Sequence, residues 1–163
     1  MRSSPAERIA DLWNRLHGLP GGRWLFSQIL RLMIPYSGTV RPRVLELGPG
    51  YCRVEIRDRR RVRNHLNSVH AIALMNVGEL TSGLAVTLGL PPSVRGIVRE
   101  LSAEYLIKAR GALTATCSFE PPAVTEEMDF RVTSEVRNAG AEVVARVHTI
   151  WRLAPRPAVR SGR

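Results

Sequence analysis

The stretch that decides the fold is Asn64-His-Leu-Asn-Ser-Val-His70, a polar segment, and the following run Ala71-Ile-Ala-Leu-Met-Asn-Val-Gly-Glu79-Leu-Thr-Ser-Gly-Leu-Ala-Val86. Glu79 is the single formally charged side chain between Asn64 and Val94. An ionised carboxylate removed from water is costly, so burial should raise its pKa or require a partner. A buried segment that keeps such a group indicates a functional site.

The composition is typical of one soluble globular domain. The chain has 163 residues, of which 44% are hydrophobic and 23% charged, and a domain of this size buries roughly two thirds of its unfolded surface. Cys52 and Cys117 have neither metal-ligand spacing nor the density of a disulfide framework. Charged residues near the start, such as Glu7 and Asp11, interrupt any secretory signal. We predict a cytoplasmic protein without metal or cofactor.

The net charge of +10 raises the question of a nucleic-acid partner. Lys108 is the only lysine, so the basic charge is an arginine bias spread along the chain, and no zinc-finger or aromatic RNA-binding pattern accompanies it. Guanidinium groups suit the phosphates of small anionic ligands equally well. Residues 71–90 are long enough to cross a membrane, but Glu79 and Asn76 favour a core helix. We expect neither nucleic-acid binding nor a membrane span.

Hydrophobic periodicity predicts two N-terminal helices, over residues 5–18 and 24–33, separated by Gly21-Gly22. Alternation around Pro49-Gly50 predicts a hairpin over 43–57, and the apolar run predicts a helix over 70–88 that ends at Gly89. Four strands follow, over 96–108, 113–119, 128–137 and 142–153, with hairpin connections at Arg110-Gly111 and Asn138-Ala-Gly140.

This order predicts an α+β fold, in which an antiparallel sheet wraps around one long central helix. We divide the chain into an N-terminal helical extension (1–40), the main domain (41–154) and a tail (155–163). The tail is rich in Pro, Arg, Ser and Gly and is predicted to be disordered.

The polar segment and the helix resemble the PaaI-like acyl-CoA thioesterases, which have the hotdog fold. That family shows an Asn, a His six residues later at the helix start, and an acidic residue nine after the His; Asn64, His70 and Glu79 occupy these places. The strand that ends near Lys108 also looks like the family's strand after the helix. The resemblance covers about residues 44–151, and the leading helices resemble an extension in an uncharacterised branch.

Two positions depart from that pattern. Ala71-Ile72 replaces the usual Gly-Gly, which makes a close backbone approach to a thioester less assured, and Glu79 stands where Asp is commoner. The resemblance implies hydrolysis of an acyl-CoA or acyl-carrier thioester, with the protein assembled as a homodimer or a homotetramer.

Thioester hydrolysis needs a base or nucleophile at the carbonyl carbon and donors for the oxyanion. Glu79 suits the first role, and the backbone N–H of Ala71 suits the second because helix N-termini present unpaired donors. Eight residues separate them, about 12 Å along a helix. Since one helix cannot bring both to the same carbonyl, the sequence predicts a dimer with composite sites.

The remaining candidates carry weaker signals. Asn64 and His70 are candidate catalytic residues, although a loop-organising Asn and a helix-capping His are the structural alternatives. The candidate substrate-binding residues are Ile72, Ser82, Tyr105, Lys108 and Arg110. The basic loop 57–63, together with Lys108 and Arg110, is a candidate for the phosphates of coenzyme A, and a solvated basic surface is its structural alternative. Tyr105 and Trp151 are interpreted as core rather than acyl pocket, and a structural Glu79 paired with an arginine remains an alternative.

Two other functions stay open. Hotdog dehydratases pair a His with an acid fourteen residues later, a separation that His65 and Glu79 share, but the proline-rich features typical of those enzymes are missing. A non-catalytic module that binds acyl thioesters is favoured by the lost glycines. The acyl group and the choice between coenzyme A and an acyl-carrier protein are not determined by the sequence.

Overall fold

The computed structural model describes residues 5–156, which form a helix-wrapping sheet preceded by short helices. Three helices come first: α1 (Pro5–Leu16), α2 (Gly22–Met33) and α3 (Pro35–Gly38). The remaining elements are β1 (Arg43–Gly48), β2 (Tyr51–Arg57), a 3-10 turn (Arg60–Val62), α4 (Ala71–Gly89), β3 (Val94–Tyr105), β4 (Ala112–Ser118), β5 (Met128–Arg137) and β6 (Val143–Pro155).

The six strands form one antiparallel sheet in the order β1-β2-β4-β5-β6-β3. Alternate residues of β2 and β4 are buried and face α4, as the period of a half-buried strand requires. The sheet curves around α4, which contacts every strand. This is the hotdog architecture, and the predicted fold class is confirmed.

Three details of the sequence reading are corrected. The turn at Arg110-Gly111 is not a hairpin, because β3 pairs with β6 at the sheet edge whereas β4 pairs with β2 and β5. The short helix α3 was not predicted, since four residues give no period. The strand β6 continues to Pro155, and the N–H of Arg156 donates to the carbonyl of Ser93. The rest of the predicted tail, 157–163, lies outside the described residues.

The helix α4 is the centre of the core. Within residues 5–156 it is the one helix that is long and apolar enough to cross a membrane, and 61% of that window is buried inside the fold. At Gly78 the helix approaches the sheet so closely that an added Cβ would lie 2.4 Å from Cγ2 of Val147. The Ser134 hydroxyl donates to the Gly78 carbonyl at 2.8 Å, which fixes the helix to β5.

The N-terminal helices share this core. Trp13 of α1 meets Phe26 of α2 edge to face, with ring centroids 5.0 Å apart, and both rings are buried with α4 in one continuous cluster. The Ser27 hydroxyl accepts the N–H of Val44 at 2.9 Å and donates to the Arg23 carbonyl at 2.7 Å, which joins α2 to the start of β1. The extension is therefore packed against the sheet and the central helix.

We expect Gly78→Ala to destabilise the protein, because the new methyl group collides with the Val147 side chain. Overpacking of this kind costs about 1–3 kcal/mol, more than the roughly 1 kcal/mol that alanine contributes in a helix. Gly83→Ala is the matched control in α4, since its Cβ meets no atom closer than 3.7 Å. Thermal unfolding should show a lower Tm for Gly78→Ala and an equal or higher Tm for Gly83→Ala; the reverse order would contradict this packing.

Candidate active site

The start of α4 leaves one backbone donor open. His70 is the N-cap residue, and its Nδ1 accepts the N–H of Ile72 at 3.1 Å. The His70 N–H in turn donates to the Val62 carbonyl at 2.7 Å, which holds the cap against the 3-10 turn. The N–H of Ala71 has no hydrogen-bond partner within the part of the chain that the structure describes. His70 thus occupies the capping position, and Ala71 presents the open donor.

Asn64 organises the loop before the helix. Its Oδ1 accepts the N–H groups of Leu66 and Ser68, at 3.0 and 3.2 Å, and the Ser68 hydroxyl at 3.1 Å. The backbone N–H of Asn64 donates to the Ser68 carbonyl at 2.9 Å and closes the loop. The side-chain carbonyl oxygen of Asn64 therefore already accepts three hydrogen bonds, as expected of a residue that organises the loop.

Glu79 lies on the side of α4 that faces the N-terminal helices. Its half-buried side chain lines a cavity of about 180 Å³ with α1 and α3 residues and the indole of Trp151. Burial raises the pKa of this carboxyl above its usual range. Among the described residues no hydrogen bond or ion pair reaches the carboxylate. A structural role for Glu79 paired with an arginine was the alternative, and no such arginine is found among residues 5–156.

The wall of this cavity was not predicted from the sequence. Ile9 of α1, and Ile34 and Ser37 around α3, line it together with Trp151. The Trp151 indole N–H is buried and has no partner in the described chain. Trp151 packs against the core as predicted, yet it also borders the cavity. The alternation of residues along β6 is consistent with Trp151 on the buried face of that strand. No pattern in the sequence predicts that α1 packs against α4.

A second cavity of about 390 Å³ continues from the first. Both are bordered by Thr87 and Trp151, and the larger one extends between α1, the end of α4 and the start of β3. Its remaining lining is mostly apolar and includes Ala6, Ala10, Val86, Leu90, Val94 and Gly96. The two cavities together give an apolar space that begins at the Glu79 carboxylate.

Three of the candidate substrate-binding residues lie near the first turn of α4. Lys108 and Arg110 are exposed in the loop after β3, which the Val69 N–H···Ala109 carbonyl bond of 2.8 Å holds against the start of α4. Tyr105 is 45% exposed, so its interpretation as core is wrong; its hydroxyl donates to the Ala71 carbonyl at 3.1 Å. This cluster surrounds the first turn of α4.

Ile72 and Ser82 have opposite environments. Ile72 is 52% exposed on the first turn of α4, beside the open amide. Ser82 is fully buried on the sheet side, where its hydroxyl donates to the Glu79 carbonyl at 2.9 Å and lies 3.2 Å from the Thr149 hydroxyl. The Ser82 hydroxyl thus stabilises the helix turn that carries Glu79.

The two thiols are unsuited to nucleophilic chemistry. Cys52 and Cys117 are cross-strand neighbours on β2 and β4, and both are buried. Burial raises the pKa of Cys117 to about 11 and that of Cys52 further. Since the thiolate is the reactive form, neither residue is a candidate nucleophile.

Residues 22–153 match the model of a protein family described as a domain of unknown function (DUF4442). The chain belongs to this family. The match begins at α2 and ends within β6, so α1 lies outside it. A comparison with curated protein sequences gives no match.

Solved structures of similar fold cover most of the DUF4442 chain. A structural-genomics protein is 27% identical with a TM-score of 0.79, covering 91% of this chain and 99% of its own. A Pseudomonas aeruginosa protein of unknown function, described as a probable thioesterase, is 21% identical with a TM-score of 0.70 (85% and 97% covered). A Haemophilus influenzae thioesterase is 12% identical with a TM-score of 0.65 (80% and 92% covered). The predicted likeness to hotdog-fold thioesterases is confirmed.

We expect Glu79→Gln to stabilise the protein near neutral pH. The folded-state pKa of Glu79 is raised above an unfolded value of about 4.3, so the folded state resists ionisation more than the unfolded chain does. The wild type therefore loses stability, relative to the neutral glutamine variant, as the pH rises from the unfolded value through the folded pKa. Below the unfolded value the difference should vanish.

Urea unfolding of both proteins across this pH range measures the effect. The exposed Glu126→Gln variant is the matched control, and it should follow the wild type at every pH. A Glu79→Gln variant that is less stable than the wild type at neutral pH would show that the carboxylate has a compensating partner.

Proposed function

We propose that this DUF4442 protein hydrolyses acyl-CoA or related acyl thioesters. The observation that carries the proposal is the Glu79 carboxylate, which is desolvated, without a partner among residues 5–156, and bordered by an apolar cavity. A carboxylate with a raised pKa is a stronger base for water activation than an exposed one. Its position in a hotdog fold shared with proteins called thioesterases adds independent support.

The Ala71 amide is proposed as the oxyanion donor. Its N–H is open at the first turn of a 19-residue helix, where the helix dipole favours developing negative charge. His70 supports this role by capping Ile72 rather than by touching the reacting atoms. Asn64 supports it through the loop, and its Nδ2 group remains a candidate contact for water or the thioester carbonyl.

A homodimer is proposed because the two groups cannot meet within one chain. Ala71 and Glu79 lie about 12 Å apart along α4. The strand β3 supports pairing between copies, since it is a 12-residue edge strand whose side chains are mostly exposed, with Ile97 at 68%. Long unprotected edges of this kind are suited to pairing with another chain. In an isologous dimer each copy supplies Glu79 to one site and Ala71 to the other.

The acyl group is assigned to the two joined cavities. Their lining is largely apolar, and they begin beside the carboxylate at which the thioester carbon must lie. A non-catalytic module that binds acyl thioesters is the alternative. The half-exposed Ile72 at the helix entrance favours that alternative, because a bulky side chain there narrows the approach to the Ala71 amide.

Glu79→Gln should lower kcat/KM for acyl-CoA hydrolysis by about 10²- to 10⁴-fold, because the amide cannot accept the proton of water. Thiol release from a panel of acyl-CoAs measures the rate, and Glu126→Gln is the control that should retain it. Wild-type protein that binds acyl-CoA without releasing thiol would favour the binding module. An enoyl product would favour a dehydratase.

A mixed dimer tests the composite site. Ala71→Pro removes the proposed donor, about a 10²- to 10³-fold loss, yet proline is tolerated at the first helical position. The extended conformation of His70, with φ −64° and ψ 141°, suits a residue before proline. Glu79→Gln and Ala71→Pro are each expected to be inactive alone.

Random 1:1 reassociation of these two variants should restore about a quarter of wild-type activity, because half of the dimers are mixed and each has one intact site. The measurement is thiol release before and after unfolding and refolding the mixture together. If both groups acted from the same chain, the mixture would stay inactive.

A further inference from the structure

A further cavity, with a different chemistry, lies beside α2 of the N-terminal extension. It has a volume of about 450 Å³ and lies between α2, the segment before β1 and the end of β2. Its lining contains one acid, Glu55, and five arginines: Arg31, Arg41, Arg43, Arg57 and Arg59. The indole of Trp24, 60% exposed, stands at its edge.

Two of the arginines in this pocket donate to neutral acceptors. Arg59 Nη2 donates to the Val40 carbonyl at 2.9 Å, and Arg31 Nη1 donates to Gln28 Oε1 at 2.5 Å. Glu55 is within ion-pair distance of Arg57 alone among the described residues, at 3.9 Å. The cluster therefore keeps an excess of uncompensated positive charge.

Two further observations indicate that an anion is expected here. The Arg31 Nε–H is buried and has no partner within residues 5–156. Burial, and then the charges of Arg41 and Arg31, lower the pKa of Arg59. Bringing several guanidinium groups together costs free energy unless an anion compensates them. Planar guanidinium groups bind phosphate oxygens in pairs, and an exposed indole offers a stacking surface for a nucleobase.

The pocket is connected to the proposed reaction centre. Val40, which accepts from Arg59, also lines a neighbouring cavity of about 390 Å³ together with Thr39, Arg61 and His70. That cavity reaches Ile72 and Ala73 on the first turn of α4. The arginine pocket thus lies beside a cavity that reaches the first turn of α4, where the open Ala71 amide lies.

We propose that the arginine pocket binds the phosphorylated nucleotide end of a coenzyme A thioester, with its phosphates on Arg31, Arg41 and Arg59 and its base against Trp24. This rests on the proposed thioester hydrolysis, and it selects coenzyme A over an acyl-carrier protein as the carrier. The thioester end then follows the cavity beside His70 to the Ala71 amide of the same subunit.

Binding of free coenzyme A, measured by titration calorimetry on the full chain, tests the pocket without catalysis. Arg41→Glu and Arg43→Glu change exposed side chains, so the fold should survive. Arg41→Glu should weaken binding about tenfold or more because a charge-assisted hydrogen bond is lost, and Arg43→Glu should weaken it because it places a negative charge in the lining of the pocket. Arg131→Glu, exposed on β5, is the matched charge control and should bind as the wild type does. Equal affinity in all four proteins would overturn the proposal.

Hydrolysis of two thioesters of the same acyl group separates this proposal from the proposed function. Arg41→Glu should lower kcat/KM for the acyl-CoA about tenfold or more and leave the acyl-N-acetylcysteamine thioester, which has no phosphate, unchanged. If the wild type hydrolyses both and Arg41→Glu affects neither, the pocket assignment fails while the hydrolase stands. If the wild type binds coenzyme A through Arg41 but hydrolyses nothing, the hydrolase fails while the pocket stands.

Binding to phosphatidylglycerol vesicles is the last measurement. The same arginines would attract an anionic lipid surface, and Trp24 suits a membrane interface. Vesicle binding that is lost in Arg41→Glu, without any binding of coenzyme A, would overturn the nucleotide assignment. Binding of coenzyme A with no vesicle association in the wild type would support it.

Discussion

The close approach of α4 to the sheet at Gly78 is the constraint on which the rest of the structure depends. The absence of a side chain lets the helix backbone lie against Val147, and the Ser134 hydroxyl holds the Gly78 carbonyl from β5. This contact fixes the rotation of the helix about its axis. Since Glu79 is the next residue, about 100° further around the helix, its side chain lies toward the N-terminal helices and the indole of Trp151. The position of the carboxylate is therefore a consequence of packing.

The same packing lowers the stability of the folded protein at Glu79. A helix that is buried on most sides keeps one carboxylate away from water and gives it no cation among the described residues. Functional sites commonly sacrifice stability in this way. Ser82 and Thr81 return their hydroxyl groups to backbone carbonyls of the same helix, so neither compensates the carboxylate. The chemistry proposed for Glu79 depends on that isolation.

Much of the fold was predictable from the sequence because its signals are local. The apolar run gave α4, and alternation gave each of the six strands to within a few residues. The pairing of β3 with β6 was not predictable from local turn chemistry, because the chain passes from one edge of the sheet to its interior between β3 and β4. Glu79 and Ala71 could be proposed as site residues from the sequence because a charge in an apolar run and a helix start are visible there. The cavity wall from Ile9 and Ile34, and the gathering of Arg31, Arg41 and Arg59, depend on long-range packing and left no such signal.

The location of α1 has a consequence for the size of the proposed acyl site. This helix covers the apolar cavity, yet it precedes the segment that defines the family, which begins at residue 22. Small residues such as Ala6 and Ala10 give that wall its present depth. Substitutions at Ala6 and Ala10 therefore change the size of the cavity that continues from Glu79. We expect larger side chains at these two positions to shorten the acyl chain that the proposed site accepts.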